Sequence, residues 1–329
     1  MNKDVLDLKD RRLLYELDKN SRMSLTKLGK KIRLSKEVVF HRLNNLVARG
    51  YILRFQTVVS VYRLGYQSYK IYLKLQDMTR QRHDELQDYL LRDANVYWIG
   101  NCQGRWDMII AIWVQSIHDV AHFLDNLLNT FSQNIHEKQL TITKEMWQWN
   151  RKWLLEEKGE PVEMGEGKNT PQIAVDDHDI AILRALASNS RIKLVDLAKK
   201  TGTSLTVARY RLRELERRKI IIGYKYALNP KLLHYETCKA FITFKNVTPQ
   251  RKQAIMTACK YHPHIINAVL TLGPWDLELE MEVENFEQYY RIMAELQEAH
   301  SELIRGYESV IISSEPKQVF MPGVQGPKK

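Results

Sequence analysis

The sequence predicts an α+β protein in which one unit, three short helices followed by the order βαββαβ, is written twice. Three observations predict this. Residues 20–46 return as residues 189–215, with Ser21 on Ser190 and Ser35 on Ser204 at a constant shift of 169 positions. Within each copy, apolar residues first recur at helical spacing and then alternate as they do in strands. A Gly-x-Trp-Asp turn recurs at the same shift, at residues 104–107 and 273–276.

Composition limits the class of protein. The chain has 329 residues, of which 44% are hydrophobic and 27% are charged, as in a soluble protein of two or more domains. The formal net charge of +11 favours a polyanionic partner such as nucleic acid. Charges from Lys3 onward, and the lack of any run of about 18 apolar residues, predict neither a secretion signal nor a membrane partner. We therefore expect a cytoplasmic protein.

Residue types used in catalysis and metal binding are scattered along the chain. Cys102, Cys238 and Cys259 form no CxxC pair, and the ten histidines form no HExxH motif. His118 and His122 lie one helical turn apart, but no carboxylate or cysteine obviously joins them, so a solvated helix face is the favoured interpretation. The sequence thus predicts no metal, no cofactor and no enzyme activity.

Each copy opens with three predicted helices. Asp7 is placed to cap the first helix and Ser35 the third, and Asp176 and Ser204 match them in the second copy. The third helices are predicted over residues 35–49 and 204–219. This is the helix-turn-helix arrangement, whose last helix enters the major groove of DNA. A three-helix packing unit with a solvated outer face is the alternative.

The outer face of each third helix carries the candidate DNA contacts. Helix 204–219 has six basic residues against two acidic ones, and helix 35–50 has three against one. Side chains on such a face reach either base edges or phosphates. The candidates for groove readout are Lys36, His41, Asn44, Thr206, Arg209, Tyr210 and Arg213. The candidates for phosphate contact are Arg42, Arg211, Arg217 and Arg218.

An alternating segment follows each third helix, at residues 51–60 and 220–227. It predicts a small strand pair, or wing, beside the helix. Arg54 and Lys225 on these segments are further candidates for phosphate contact, with solvent-facing charges on an edge strand as the alternative. The winged helix-turn-helix domains are thus predicted at residues 1–62 and 175–231.

The remainder of each copy, residues 63–150 and 232–314, predicts the order βαββαβ, which is the ferredoxin-like arrangement. Its strands are predicted at 68–76, 96–102, 108–114 and 135–143, and at 238–245, 265–272, 277–283 and 304–313. Its helices are predicted at 80–91 and 117–131, and at 249–261 and 286–300. Helices cover one face of such a sheet, so the other apolar face needs a cover. The other copy is the obvious cover, which predicts an internal pseudo-dimer.

Residues 151–174 are polar and contain several glycines and prolines, which predicts a linker between the copies. Trp147 and Trp149 just before it, and Trp153 at its start, have no counterparts in the second copy. Aromatic side chains of this size are rarely left bare, so we expect them to pack across a domain surface. Residues 315–329, with three prolines, predict a disordered tail.

The order of these elements, with Gly-x-Trp-Asp in both middle hairpins, resembles the leucine-responsive/asparagine (Lrp/AsnC, feast/famine) family of transcription regulators. The resemblance covers residues 6–145 and 175–314. It implies a sequence-specific regulator that binds double-stranded DNA, dimerises by face-to-face sheet packing and binds small effectors, often amino acids, near these loops. The effector positions so implied are Gly104, Trp106, Asp107, Gly273, Trp275 and Asp276. Loops that serve only as turns are the alternative.

The sequence departs from the family pattern in three ways. Relatives are mostly single units that dimerise, whereas this chain carries both units, and further assembly into homo-oligomers stays open. Pro274 in one loop and Arg105 in the other make the two effector loops chemically unequal. The third helices differ at outward positions, such as Phe40 against Arg209. We therefore expect a lopsided DNA site, with more of the affinity coming from the more cationic second head.

Two other functions stay open. Sirohaem decarboxylases are similar in architecture and act on a tetrapyrrole, but the retention of two cationic third helices argues against that assignment. A colourless purified protein without affinity for tetrapyrroles would exclude it. A small-molecule sensor or scaffold that does not bind DNA is the third function, and it predicts no salt-sensitive affinity for DNA.

Overall fold

The computed structural model describes residues 6–155, 160–167 and 170–323, and the structural statements below refer to these residues. The first copy opens with α1 (Leu8–Lys19), α2 (Leu25–Ile32), α3 (Lys36–Ala48) and β1 (Ile52–Val59). It continues with β2 (Gln67–Leu75), α4 (Arg80–Arg92), β3 (Val96–Gly104), β4 (Met108–Val114), α5 (Ile117–Phe131) and β5 (Ile135–Trp149).

A short strand, β6 (Glu163–Glu166), lies between the copies. The second copy opens with α6 (Asp177–Ser188), α7 (Leu194–Lys200), α8 (Leu205–Arg217) and β7 (Ile221–Leu228). It continues with β8 (Glu236–Phe244), α9 (Pro249–Tyr261), β9 (Ile265–Leu272), β10 (Leu277–Val283), α10 (Phe286–Ala299) and β11 (Ile304–Gln318). The predicted α+β class and the duplicated order of elements are confirmed.

Local capping explains where the first and third helices of each copy begin. The side chains of Asp7 and Ser35 accept hydrogen bonds from backbone amides three residues later, at 2.7 and 3.3 Å. Asp176 and Ser204 do the same in the second copy, at 2.9 and 3.2 Å. Such bonds satisfy amide groups that the first turn of a helix leaves unpaired. We call each group of three helices a head.

The two heads are joined by strand pairing and by a reciprocal contact. Strands β1 and β7 pair with each other in antiparallel fashion, so the predicted wing takes its second strand from the other copy rather than from its own. Ser21 and Ser190, which occupy matching positions, are both buried, and their hydroxyl oxygens lie 3.0 Å apart. Arg22 Nη1 donates to the carbonyl of Ile192 at 3.2 Å, and Arg191 Nη1 donates to that of Met23 at 3.0 Å.

The remaining eight long strands form one closed sheet. Each copy contributes four strands, in the orders β5-β2-β4-β3 and β11-β8-β10-β9. Strand β5 pairs with β2 through its first half and with β9 through its second half. Strand β11 likewise pairs with β8 and then with β3. The last strand of each copy therefore crosses into the other copy, and the predicted pseudo-dimer forms inside one chain.

Helices cover the outside of this sheet, and an apolar cluster from both copies fills the inside. Tyr72, Trp106 and Ile109 from the first copy pack there with Phe241 and Trp275 from the second. The two helix-covered layers form separate clusters, one for each copy. The sheet face that the helices do not cover is thus buried against the corresponding face of the other copy, because neither sheet can leave so much apolar surface in water.

Charged residues also enter the interior, and they come mostly from the second copy. Buried Lys70 places its Nζ 2.5 Å from Glu278 Oε2. Buried Lys239 lies 4.0 Å from the same oxygen and 2.9 Å from Glu280 Oε2. Burial alone would raise the pKa of Glu278, but the ammonium groups of Lys70 and Lys239 lower it below its ordinary value. A single buried carboxylate therefore serves two lysines at matching positions of the repeat.

Arg151 and Trp153, at the start of the linker, connect the first head to the strands of the second copy. Arg151 Nη1 lies 2.9 Å from Asp18 Oδ1 of α1, and its Nε lies 2.8 Å from Glu282 Oε2 of β10. Trp153 donates to the same Glu282 oxygen at 2.9 Å and stacks on Tyr235 with ring centroids 4.0 Å apart. The expected packing of these tryptophans is confirmed for Trp153, which is buried between the two copies, and for Trp149, which is buried in the core of the second copy with Trp147 packed against that core.

Two boundaries differ from the sequence prediction. Strands β5 and β11 continue past the predicted residues 143 and 313, because pairing with the other copy holds their second halves. Residues 315–318, predicted to belong to a disordered tail, therefore lie in β11, where Lys317 and Gln318 pair with Ile99 and Trp98. Residues 324–329 of the predicted tail lie outside the described residues. No described helix is long and apolar enough to cross a membrane.

Candidate nucleic-acid interface and loop cavity

The outer faces of α3 and α8 project away from the core. Val39, Leu43 and Leu46 bury the inner face of α3, as Ala208, Leu212 and Leu215 bury that of α8. The residues predicted to read the groove are all exposed: Lys36, His41, Asn44, Thr206, Arg209, Tyr210 and Arg213. Of these, Arg209 and Arg213 form no ion pair or hydrogen bond with the described residues, so their guanidinium groups are free for a ligand.

The candidates for phosphate contact are placed differently. Arg42 Nη1 lies 2.7 Å from Asp7 Oδ2 and 2.8 Å from Asp10 Oδ1, so it ties α3 to the start of α1. Arg211 does the same in the second copy, at 2.7 Å from Asp176 and 2.9 Å from Asp179. The amide of Asp179 and the guanidinium of Arg211 lower the pKa of the Asp176 carboxyl. The matched arginines thus act inside each head.

The other two candidates on α8 are also engaged. Arg217 is exposed and pairs with Glu214 one turn earlier, at 2.6 Å. Arg218 donates to the carbonyl of Ala174 and lies 3.7 Å from Asp179. A surface pair such as Arg217–Glu214 is worth little and can open for a phosphate. Arg217 therefore stays a candidate for phosphate contact, whereas Arg218 is already bound to Ala174 and close to Asp179 at the start of the second head.

The ion pairs of Arg211 with Asp176 and Asp179, which we call the clamp, predict different outcomes for substitution of Arg209 and of Arg211. Arg211→Ala should lower the thermal midpoint of the protein by a few degrees, because the helix-cap carboxylates of Asp176 and Asp179 lose their counter-charge. Arg209→Ala should leave the midpoint unchanged, because its side chain makes no ion pair or hydrogen bond within the described residues. Differential scanning fluorimetry at low salt compares the two variants. Equal midpoints for the two variants would contradict the clamp.

The candidates for phosphate contact on the strands, Arg54 and Lys225, do not face outward. Arg54 is half-buried, and its Nη2 lies 3.4 Å from Gln318 Oε1. Burial lowers the pKa of Arg54. Lys225 is buried, with its Nζ 3.2 Å from Asp18 Oδ2 and 3.1 Å from the carbonyl of Trp149. The expected phosphate contacts of Arg54 and Lys225 are not supported, because the β1–β7 ribbon lies between the heads and the closed sheet.

The two Gly-x-Trp-Asp loops are close-packed turns. Gly104 has a φ of +123°, and a Cβ there would meet the carbonyl oxygen of Ser309 at 2.9 Å. A side chain at this position would therefore be strained and would collide with β11. Asp107 Oδ2 accepts the amide of Leu75 at 2.8 Å, and Asp276 Oδ2 accepts that of Phe244 at 2.7 Å. The loop carboxylates thus hold the hairpins against the first strand of each sheet.

The loop tryptophans turn into the interior and meet near the middle of the pseudo-dimer. Trp106 and Trp275 are 2% and 5% exposed, and their ring centroids lie 6.5 Å apart. Phe241 lies 4.7 Å from Trp275. A cavity of about 330 Å³ opens beside these three rings, with Arg105, Arg305 and Glu137 also in its wall. Of the predicted effector positions, the structure brings the two tryptophans together at one cavity.

Several residues of these sites were not predicted from the sequence. Arg305 and Phe241 line the cavity but lie far from the loops along the chain. The interior carboxylates had a readable signal, because β10 reads Leu-Glu-Leu-Glu-Met-Glu-Val where β4 reads Met-Ile-Ile-Ala-Ile-Trp-Val. Three carboxylates at positions that are apolar in the other copy indicate a charged partner across the interface.

The heads match a known family. Residues 6–52 and 175–222 each match a family described as winged helix-turn-helix DNA-binding. The leucine-responsive regulatory protein of Haemophilus influenzae is 31% identical over 121 residues, which span 36% of this chain and 73% of that protein. That of Serratia marcescens is 32% identical over 136 residues, which span 40% of this chain and 81% of that protein.

The whole chain is also similar to a solved structure. The sirohaem decarboxylase NirDL in complex with an iron-uroporphyrin III analogue superimposes with a TM-score of 0.63 and covers 96% of this chain and 94% of its own. The two sequences are only 10% identical. At that identity the likeness shows a shared fold alone.

Proposed function

The chain belongs to the leucine-responsive/asparagine family of DNA-binding transcription regulators, as a tandem duplication of the family's two-domain unit, and we propose that it binds one double-stranded site through two unlike heads. The observation that carries this proposal is the pair of third helices. Both are capped, both expose an outer face, and both belong to heads that contact each other through Ser21 and Ser190.

The roles of the side chains follow from their surroundings. Arg209 and Arg213 can make bidentate hydrogen bonds to guanine edges, and Asn44 can do so to adenine. Lys36, His41, Thr206 and Tyr210 complete the proposed groove contacts. Arg217 is the proposed phosphate contact on α8. Because one chain carries both heads, the half-sites should lie about one helical turn, or a small multiple of it, apart.

A salt titration tests this proposal. The full chain is titrated onto labelled genomic fragments at several salt concentrations, with and without unlabelled competitor DNA. We expect affinity to fall steeply with salt, and one class of fragment to survive competition. Affinity that does not depend on salt, or binding that competitor removes from every fragment, would contradict a sequence-specific regulator.

We further propose that a small effector modulates DNA binding and that the chain is not an enzyme. Support comes from the family and from two heads whose outer faces stay exposed. The tetrapyrrole alternative rests on a shared fold. Binding of sirohaem distinguishes it from the regulator assignment. Sirohaem added to the purified protein should cause no saturable change in its absorption spectrum, whereas a tight complex followed by decarboxylation would overturn the regulator assignment.

A further inference from the structure

The outer face of α3 carries an aromatic side chain that the rest of the fold leaves unburied. Phe40 is 54% exposed, although the helix buries three apolar residues on its inner face. It belongs to no apolar cluster of the described residues. A single exposed phenylalanine is ordinary on a protein surface, so the position of Phe40 on the helix decides what the ring can do.

Phe40 lies in a row of three side chains, with Lys36 one turn before it and Asn44 one turn after it. Residues four apart are neighbours on one face of a helix, so the three side chains point the same way. All three are exposed. Lys36 and Asn44 are proposed groove contacts, and a helix that brings both of them to base edges also brings the ring between them into the groove.

The major groove offers one apolar group to such a ring, the C5 methyl of thymine. Against the other base edges the ring would remove water from donors and acceptors without replacing their hydrogen bonds, which costs free energy. Against a thymine methyl it buries apolar surface on both partners. The ring therefore favours an A·T pair at its position.

The second head carries different chemistry at the matching positions. Arg209 occupies the position of Phe40, and Arg213 occupies that of Asn44. Both arginines are exposed and form no ion pair or hydrogen bond with the described residues. An arginine in the major groove pairs best with the O6 and N7 acceptors of guanine. The same row of side chains thus suits different base pairs in the two heads.

From this arrangement we propose that Phe40 is a specificity-determining residue that reads a thymine methyl close to an adenine read by Asn44. A helical turn rises about 5.4 Å and a base pair about 3.4 Å, so the two contacts fall one or two base pairs apart. The first head then selects A·T pairs where the second selects G·C pairs. The inference rests on the proposed function and adds to it the base that one head selects.

Uracil in place of thymine tests the inference, because it removes only the methyl group and keeps the base pairing. The full chain first selects a preferred fragment from random double-stranded DNA. The thymines of each half-site are then replaced by deoxyuridine in turn. In one half-site the replacement should weaken binding of the parent chain about three- to fivefold for each methyl that the ring contacts. In Phe40→Ala the same replacement should change the affinity little.

Two comparisons isolate the contact between the ring and the methyl. Ile117→Ala removes a side chain that is 55% exposed on α5, outside the heads, and this variant should respond to uracil as the parent does. In the other half-site, uracil should have the same effect on Phe40→Ala as on the parent, because exposed apolar side chains of α8 such as Val207 are unchanged. Cooperative thermal melts show that each variant is folded.

Two results would overturn the inference and leave the proposed function intact. One is sequence-specific binding that uracil leaves unchanged in both half-sites. The other is an effect of uracil that Phe40→Ala reduces in neither half-site, since another group would then contact the methyl. A parent chain without any sequence preference would instead contradict the proposed function, and the inference would fail with it.

Discussion

Replacing Glu278 by leucine should lower the free energy of unfolding by about 3–5 kcal/mol. Glu278 is 1% exposed and accepts hydrogen bonds from Lys70, Tyr72 and the indole of Trp275. The leucine would leave the ammonium of Lys70, itself 5% exposed, without a counter-charge inside the sheet. Urea unfolding at neutral pH measures the change, and Glu298→Gln on the exposed face of α10 is the matched surface control.

A second variant separates charge from packing. In Lys70→Met with Glu278→Leu, no unpaired charge is left, and replacing a buried ion pair by apolar side chains is often neutral or stabilising. The double variant should therefore recover most of the stability that Glu278→Leu loses. If the double variant is as unstable as the single one, lost volume and hydrogen bonds, and not the stranded lysine, are the cause.

The same ion cluster explains why unlike halves pair inside this chain. Two first halves in this arrangement would bury two copies of Lys70 against Ile109, Ala111 and Trp113, with no carboxylate at those positions. Two second halves would instead concentrate copies of Glu278, Glu280 and Glu282 around only two lysines. Like charges buried together are costly. The interior thus fits one copy of each half better than either pair of like halves.

Elements that depend on local pattern were predictable from the sequence. Asp7 and Ser35 cap the predicted helices, and the strands of each βαββαβ unit lie close to their predicted positions. Pairing between β1 and β7, or between β5 and β9, was not predictable, because alternation shows that a segment is a strand but does not name its neighbour. The duplication indicated only that each sheet would find its cover in the other copy.

The sequence predicted which face of each third helix carries the candidate DNA contacts, but it did not distinguish the roles of the individual arginines on that face. An arginine on such a helix can contact a phosphate or a carboxylate, and the sequence pattern is the same for both. For Arg42 and Arg211 the deciding signal is the pair of aspartates that recurs with each arginine, such as Asp7 and Asp10 for Arg42. Arg209 and Arg213 have no such recurring acidic partner, and the part of the chain that the structure describes leaves both of them unpaired.

Removing Arg209 and Arg213 together should weaken binding to a preferred site by roughly 100-fold and should relax base preference in one half-site. Both guanidinium groups are exposed on α8 and free of partners among the described residues. The matched change in the first head, Phe40→Ala with Asn44→Ala, removes one side chain that can read a base and one exposed aromatic ring. It should weaken binding by about tenfold, in the other half-site.

The measurement is a competition assay in which each half-site of a selected fragment is scrambled in turn. With the parent chain, scrambling the half-site read by α8 should cost more affinity than scrambling the other, because α8 carries the two free arginines. In the double variant Arg209→Ala with Arg213→Ala, which already lacks these contacts, scrambling that same half-site should lower the affinity little further. Equal losses on every sequence would make these arginines phosphate contacts. Equal dependence on both half-sites in the parent chain would mean that two chemically different helices contribute alike, against the lopsided site that their exposed residues predict.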